Sequence, residues 1–141
     1  MKIYLDNCCF NRPFDDQSQL RIKLEAELKI QDEIKAGKFQ LIWSYILQSE
    51  NEANPYSERR RAIREWKNHA IMDMNEESSI LEKGTELMLS GLRNKDALHI
   101  ACAILATCEY FLTTDDKILN KNESVEGITI TDPIDFIKKV Y

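Results

Sequence analysis

Hydrophobic positions in this chain fall into short compact runs separated by longer periodic stretches, and the two kinds alternate from one end to the other. The compact runs lie at residues 2–5, 39–43, 70–74, 110–113 and 127–130. They are rich in Ile, Tyr, Phe, Trp and Thr and are bounded by polar or turn-forming residues, which predicts strands. Between them the apolar spacing lengthens to that of helices. Residues 18–36 start at Ser18, carry Leu20, Leu24, Leu28 and Ile34 on one face and stop at Gly37. Ser44 is placed to cap a helix over 45–53, and Asn54-Pro55 breaks the chain after it. A helix then runs from Tyr56 or Ser57 to about His69 with Ile63 and Trp66 inward. Another covers 75–90 with Ile80, Leu81, Leu87 and Leu89, ended by Gly91. Asp132-Pro133, a cap followed by proline in the first turn, opens the last helix, which runs to Val140. No repeat, linker or low-complexity stretch interrupts the pattern. Alternating strands and helices predict an α/β fold, a three-layer α/β/α sandwich on a mainly parallel, about five-stranded sheet, with residues 1–141 as a single domain.

One segment organises the rest. Residues 95–119 read as helix, strand, turn and the start of a further helix. Asp96 opens an apolar run (Ala97, Leu98, Ile100, Ala101, Ala103, Ile104, Leu105) that is hydrophobic nearly all round, the mark of a buried helix. Asn94 is placed to cap it, which puts Asp96 in the first turn, where the helix dipole favours an anion. Tyr110 to Thr113 form the strand, and Thr114-Asp115-Asp116 the polar break beyond it. The first strand ends on Asp6, and a strand so near the start of a doubly wound sheet is usually central. Strand carboxyl ends and the N-termini of crossover helices share one sheet edge. Asp6, Asp96 and Asp115 therefore fall together there. Glu50 and Glu52 lie about 200° apart around their helix at ~100° per residue, so only one can join them. Gathered carboxylates repel one another unless cations occupy the site. Mg²⁺ suits such a set best and Mn²⁺ is the near substitute. Ions held this way align a water and stabilise the leaving oxygen of a phosphodiester. His69 and His99 have no zinc-type spacing, and His99 reads as a hydrogen-bonded core residue.

Composition narrows this picture without redirecting it. With 141 residues, 43% hydrophobic and 30% charged, the chain is an ordinary globular protein with enough length for a core. No apolar run reaches membrane-spanning length and the opening MKIYLD is too short for a signal peptide, so a cytoplasmic location and no membrane partner are expected. Cys8, Cys9, Cys102 and Cys108 match no metal or redox spacing and read as small buried hydrophobes. A net charge of −5 argues against a broad nucleic-acid footprint, although bound cations would change the local sum. The densest basic patch is Arg59, Arg60, Arg61, Arg64 and Lys67. It is either a solvated helix face or, if it borders the acidic edge, a contact for phosphates.

Four short stretches, in this order and spacing, resemble the PIN-domain nucleases, including the VapC-like toxin ribonucleases: YLDN with Asp6, SYILQSE from Ser44 to Glu50, KDALHIACAI around Asp96, and FLTTDD with Asp115. The resemblance spans nearly the whole chain. It implies a metal-dependent ribonuclease acting on single-stranded or loop RNA, of the type found as the toxin of a toxin–antitoxin pair. It also implies Asp6, Glu50, Asp96 and Asp115 as catalytic ligands of Mg²⁺ or Mn²⁺, and so selects Glu50 over Glu52. Thr113 matches the family's hydroxyl residue two before the last acid, Asp116 is an extra carboxylate, and Asn7 is placed to hydrogen-bond a metal-bound water. Arg59 and Arg60 are candidate substrate contacts. RNA is the implied partner, with an antitoxin protein and a second copy of the chain as further candidates. The chain departs from the pattern after Asp6, where Asn7, Cys8 and Cys9 replace a hydroxyl residue followed by Asn. The loop over 11–16, with Arg12, belongs to a subgroup and has no assigned role.

Two rival enzymes fit poorly. A haloacid-dehalogenase-type phosphotransferase needs an acid where Cys8 stands, and a two-component receiver needs acids before the end of the first strand. A PIN-like module that binds RNA or protein without catalysis is the alternative of another class. It would gain nothing from uncompensated like charges.

Overall fold

A computed structural model describes residues 1–11 and 21–141. The expected loop over 11–16 with Arg12, the helix start at Ser18 and the inward Leu20 lie, beyond Asn11, outside the described residues.

Five strands, β1 (Lys2–Leu5), β2 (Gln40–Ser44), β3 (Ala70–Met74), β4 (Tyr110–Leu112) and β5 (Thr129–Thr131), form one sheet in the order β3-β2-β1-β4-β5. Every pairing is parallel. β1 is central, as its place at the start of the chain implies, and its three buried residues Tyr4, Leu5 and Ile3 show a strand covered on both faces. The chain winds from β1 to β2 and β3 on one side, then returns to β4 and β5 on the other. The crevice at the carboxyl ends of β1 and β4 is thus the topological switch point, where open α/β sheets bind ligands.

The helices are α1 (Asn7–Asn11), α2 (Arg21–Lys35 as described), α3 (Tyr45–Glu52), α4 (Ser57–Arg64), α5 (Ser78–Met88), α6 (Asn94–Leu105), α7 (Asp116–Leu119) and α8 (Pro133–Val140). α6 packs against α5 over the sheet face that presents Tyr4 and Phe111, whose rings stack with centroids 5.3 Å apart. α2 and α8 pack together on the opposite face, where Phe136 meets Phe39 and Tyr110, and Phe10 of α1 meets Trp43 and Trp66. Ser44 caps α3 by accepting from the Leu47 N–H at 3.2 Å, and Asp132 caps α8 by accepting from the Asp135 N–H at 2.8 Å. Gly37 and Gly91 end their helices in left-handed backbone, φ +82° and +93°, which an L side chain resists.

Several details correct the sequence reading. The inward face of α2 is Ala26, Glu27, Ile30 and Ile34, so Leu28 on the expected face is exposed. Ile30 and Ile34 decide the rotation because both are buried in the core. The helix over 57–69 keeps Ile63 and Trp66 buried, as expected, but tightens to 3₁₀ geometry over Glu65–His69. α5 starts at Ser78 rather than 75. It buries Ile80, Gly84 and Leu87 and leaves Leu81 and Leu89 in solvent. Arg93, not Asn94, holds the cap position of α6, and it makes no side-chain cap bond because a guanidinium has no acceptor to offer the helix N–H groups. The four cysteines are all free, as their spacing implies, and Cys108 lies past the end of α6. Burial pushes Cys102 and Cys108 up to about 12, leaving them inert thiols.

Candidate active site at the carboxyl edge

Asp6 leaves the end of β1 directly into α1, an element the periodicity did not predict. Its carboxylate is 8% exposed and tied at both oxygens. Oδ1 accepts from the Asn7 N–H at 2.8 Å, and Oδ2 accepts from the Thr113 hydroxyl at 2.7 Å, with the Cys8 thiol donating from 3.6 Å. Burial pushes the Asp6 carboxyl above the ordinary carboxylate range. The nearby Glu50 charge adds to this, while His99, the Thr113 hydroxyl and the Asn7 N–H pull it back.

Thr113 is fully buried at the end of β4 and has a second task, since its Oγ1 accepts from the Asp115 N–H at 3.1 Å. One hydroxyl thus fixes Asp115 relative to Asp6. Asp115 is not a loose turn residue. It caps α7, its Oδ1 accepting from the Lys117 N–H at 2.9 Å. Its other oxygen, Oδ2, accepts from Arg93 Nη2 at 2.9 Å, and Arg93 Nε donates to Asp96 Oδ2 at the same distance. A single guanidinium therefore bridges the two acids. Asp96 lies in the first turn of α6, where the dipole favours its charge.

Glu50 reaches the edge from the second turn of α3 and is held by His99 Nε2. His99 is buried on α6 one turn past Asp96, and its Nδ1 lies 2.6 Å from the Tyr4 hydroxyl, itself 2.6 Å from Ser44 Oγ. One proton arrangement satisfies every donor in this chain. Ser44 donates to Tyr4, Tyr4 donates to Nδ1, and the Nε2–H donates to the Glu50 carboxylate. Burial raises the Tyr4 phenol well above its ordinary value, so it stays a donor. Sequence reading found a hydrogen-bonded core histidine but not that its partner is Glu50. Glu52 points away, accepting from Gln48 on the exposed side of α3.

The remaining expected residues divide. Asn7 keeps a buried Oδ1 with no partner and lines a groove with Glu50, Asn54, Tyr56 and Arg59. Arg59 stacks over the Tyr56 ring at 4.6 Å, so this end of the basic helix borders the acidic edge. Arg60 is committed to the fold, its Nη1 donating to the Asn54 carbonyl at 2.8 Å. Arg61 and Arg64 are exposed. Asp116 faces a different cavity, with Lys23, Glu27, Thr114 and Asp132, and does not join the other acids. Cys8, read as a buried hydrophobe, is half-buried against Asp6, Thr113 and the Thr114 N–H. Arg93 was missed altogether. Its signal was its position three residues before Asp96, one helical turn away.

The donor set is one that oxygen-seeking divalent ions accept. It holds four carboxylates and an unpartnered amide oxygen at Asn7, and no histidine nitrogen is free. Among the described residues, no three acids, histidines or cysteines converge closely enough to grip one ion.

No known family model matches the chain, and neither does any curated protein. Solved structures do. The crystal structure of VapBC2 from Rickettsia felis bound to a fragment of promoter DNA superposes with a TM-score of 0.62 at 15% identity, over 94% of this chain and 98% of that one. VapBC-1 from nontypeable Haemophilus influenzae gives 0.60 at 15% identity, and DNA-bound VapBC from Salmonella typhimurium 0.58 at 18%, with the same two coverages. At such identities the likeness speaks for architecture, and it matches the all-parallel five-stranded sheet with its switch point at Asp6. The chain has the PIN-like α/β/α fold that its sequence motifs imply.

Proposed function

We propose that the chain is a divalent-metal-dependent endoribonuclease that hydrolyses phosphodiester bonds of single-stranded or loop RNA. The observation that carries this reading is the meeting of Asp6, Asp115, Asp96 and Glu50 at the switch-point edge. There, Thr113 ties the first two, Arg93 ties the next pair and His99 holds the last. Side chains this firmly positioned around like charges serve a cation better than they serve stability.

Asp6, Glu50, Asp96 and Asp115 would hold Mg²⁺ or Mn²⁺. When bound, the ion supplies an activated water and positive charge at the scissile phosphate. The chain's own residues do the rest. Thr113 and the Asn7 N–H keep the Asp6 carboxylate from rotating, and His99 keeps Glu50 turned to the edge. The Asn7 amide oxygen lies buried beside Asp6 with no partner among the described residues. Arg59 stands at the rim of the groove that holds Glu50 and Asn7, where a backbone phosphate of the RNA would pass. The partner in the cell is proposed to be an antitoxin protein, by analogy with the VapBC assemblies whose fold the chain shares.

The test is cleavage of single-stranded RNA by the metal-stripped chain resupplied with Mn²⁺ or Mg²⁺, beside Asp6→Asn and Asp96→Asn. Either substitution should cost several powers of ten in rate. Cleavage that persists in EDTA or in both variants would reject the proposed centre. Metal-independent RNA binding without cleavage would favour a PIN-like binding module instead.

A further inference from the structure

The guanidinium of Arg93 occupies the position that matters most for a metal centre at this edge. Its Nε and Nη2 lie 2.9 Å from Asp96 Oδ2 and Asp115 Oδ2 respectively. These are adjacent nitrogens on one edge of a planar fork, so the two carboxylates are drawn onto a single cation. The Arg93 side chain is 58% exposed, whereas those of Asp96 and Asp115 are 14% and 32% exposed. The acids are held by the fold. The arginine only leans in from the turn before α6, beside an open groove that Lys117 and Lys121 also line. More than half of its side chain is already in solvent, so its departure uncovers little.

We propose that Arg93 is the resident counter-cation of the acidic centre. It offsets part of the charge of Asp96 and Asp115 in the metal-free chain, and a divalent ion must displace it to take those carboxylates. The inference rests on the metal-dependent reading above and adds a gate to it. A divalent ion seated on those two oxygens would stand against the guanidinium, and like-charge repulsion sets metal binding against the Arg93 bridge. Apparent metal affinity is lowered by the free energy of the bridge, as for any competition between states. The bridge is partly solvated, which limits the effect to about three- to tenfold. In exchange, the metal-free centre is spared the repulsion of two bare carboxylates.

The experiment is calorimetric titration of Mn²⁺ alone into the EDTA-stripped full chain and into Arg93→Gln, Arg93→Lys and Asp96→Asn. Arg93→Gln should bind Mn²⁺ about three- to tenfold more tightly than the unaltered chain, with Arg93→Lys between them because lysine neutralises without bridging. In the unaltered chain, the Arg93 Nε–H proton resonance should be protected from exchange without metal and lose that protection as Mg²⁺ is added. This arm needs no variant to fold. Equal or weaker Mn²⁺ binding by Arg93→Gln, or an Nε–H signal indifferent to saturating Mg²⁺, would overturn the proposal while leaving the metal centre in place. Absence of saturable Mn²⁺ binding in every form, or unchanged binding in Asp96→Asn, would instead remove the metal centre and the gate with it.

Discussion

The contact between His99 and Glu50 links α6 to α3 at the edge where the acids gather, and its strength can be worked out before it is measured. The histidine side chain is 1% exposed and the glutamate 22%. A hydrogen bond to a charged group is worth about 1.5–3 kcal/mol net, against ~1 kcal/mol for a neutral pair. Water reaches one side of the Glu50 carboxylate, so the lower half of that range applies, about 1.5–2 kcal/mol. His99→Leu should cost more than this, because the Nδ1 bond from Tyr4 goes as well. Tyr4 keeps Ser44 as a partner and can turn its proton there. The total loss should therefore stay near 2–4 kcal/mol.

A double-mutant cycle isolates the pair. Urea unfolding at pH 7.5 in EDTA would be followed for the unaltered chain, His99→Leu, Glu50→Ala and the double variant, with a coupling of about 1.5–2 kcal/mol expected. Given a urea slope of about 2 kcal/mol per molar, the middle of the usual range, the midpoint of His99→Leu should fall by roughly 1–2 M. His99→Gln can rebuild the donor to Glu50, and His99→Asn can rebuild only the contact to Tyr4. The glutamine should therefore retain more of the coupling. A coupling below about 0.5 kcal/mol would refute the reasoning, since His99 would then be a packed core residue whose second nitrogen contributes nothing to holding Glu50.

Four further outcomes follow from the same geometry. Tyr4→Phe should lose about 1–3 kcal/mol in urea unfolding, because His99 Nδ1 is left buried without its partner. Asp6→Asn should be more stable than the unaltered chain in EDTA at neutral pH. Burial raises the Asp6 pKa in the folded state, so the folded chain holds that proton more tightly than the unfolded one and loses stability as pH rises through the raised value. The advantage of Asn should therefore fade below the ordinary carboxylate range, and melting curves across pH that show a constant gap would exclude this cause. Arg59→Ala should lower the slope of log RNA affinity against log salt by roughly 0.7, whereas Arg60→Ala should lower the melting temperature with the slope unchanged. Gly84→Val should destabilise by about 2 kcal/mol or more, since even a Cβ there would meet Leu98 Cδ2 at 3.0 Å where α5 packs on α6; Gly84→Ala should come out near neutral as helix propensity offsets the contact.

What could be read in the sequence was whatever one short window contains. The strands are compact apolar runs. Ser44 and Asp132 announce helix starts through their own side chains, and Gly37 and Gly91 announce helix ends through a backbone only glycine takes easily. The meeting of Asp6 with Asp115 was also legible, because parallel strands put all their carboxyl ends on one edge. Residues that work through distant partners were not legible. His99 finds Glu50 49 positions away and Tyr4 95 positions away, and its window shows only a polar residue in an apolar helix. α1 is five residues long, too short to display a period of 3.6. Leu28, Leu81 and Leu89 look inward by type but are exposed, since apolar identity alone does not say which of two helix faces a sheet will cover.

The edge carries a physical conflict that its hydrogen bonds address one carboxylate at a time. Asp6 is buried and therefore costly when charged, and two donors offset part of that cost. Asp115 places one oxygen on the first turn of α7 and offers the other outward, while Asp96 uses the opening turn of α6. Glu50 has no helix terminus to lean on, lying inside α3, and takes a histidine instead. Asp6, Asp115 and Glu50 thus each take a donor from a packed element, and Asp96 and Asp115 share Arg93. A chain selected for stability alone would have no reason to spend Tyr4, Ser44 and His99, all buried, on holding one mostly buried glutamate at this edge. Apolar residues in those places would pack as well and cost less. Retaining the polar chain makes sense only if the direction of Glu50 matters to something that arrives at the edge, and the divalent cation proposed above is a partner of that kind.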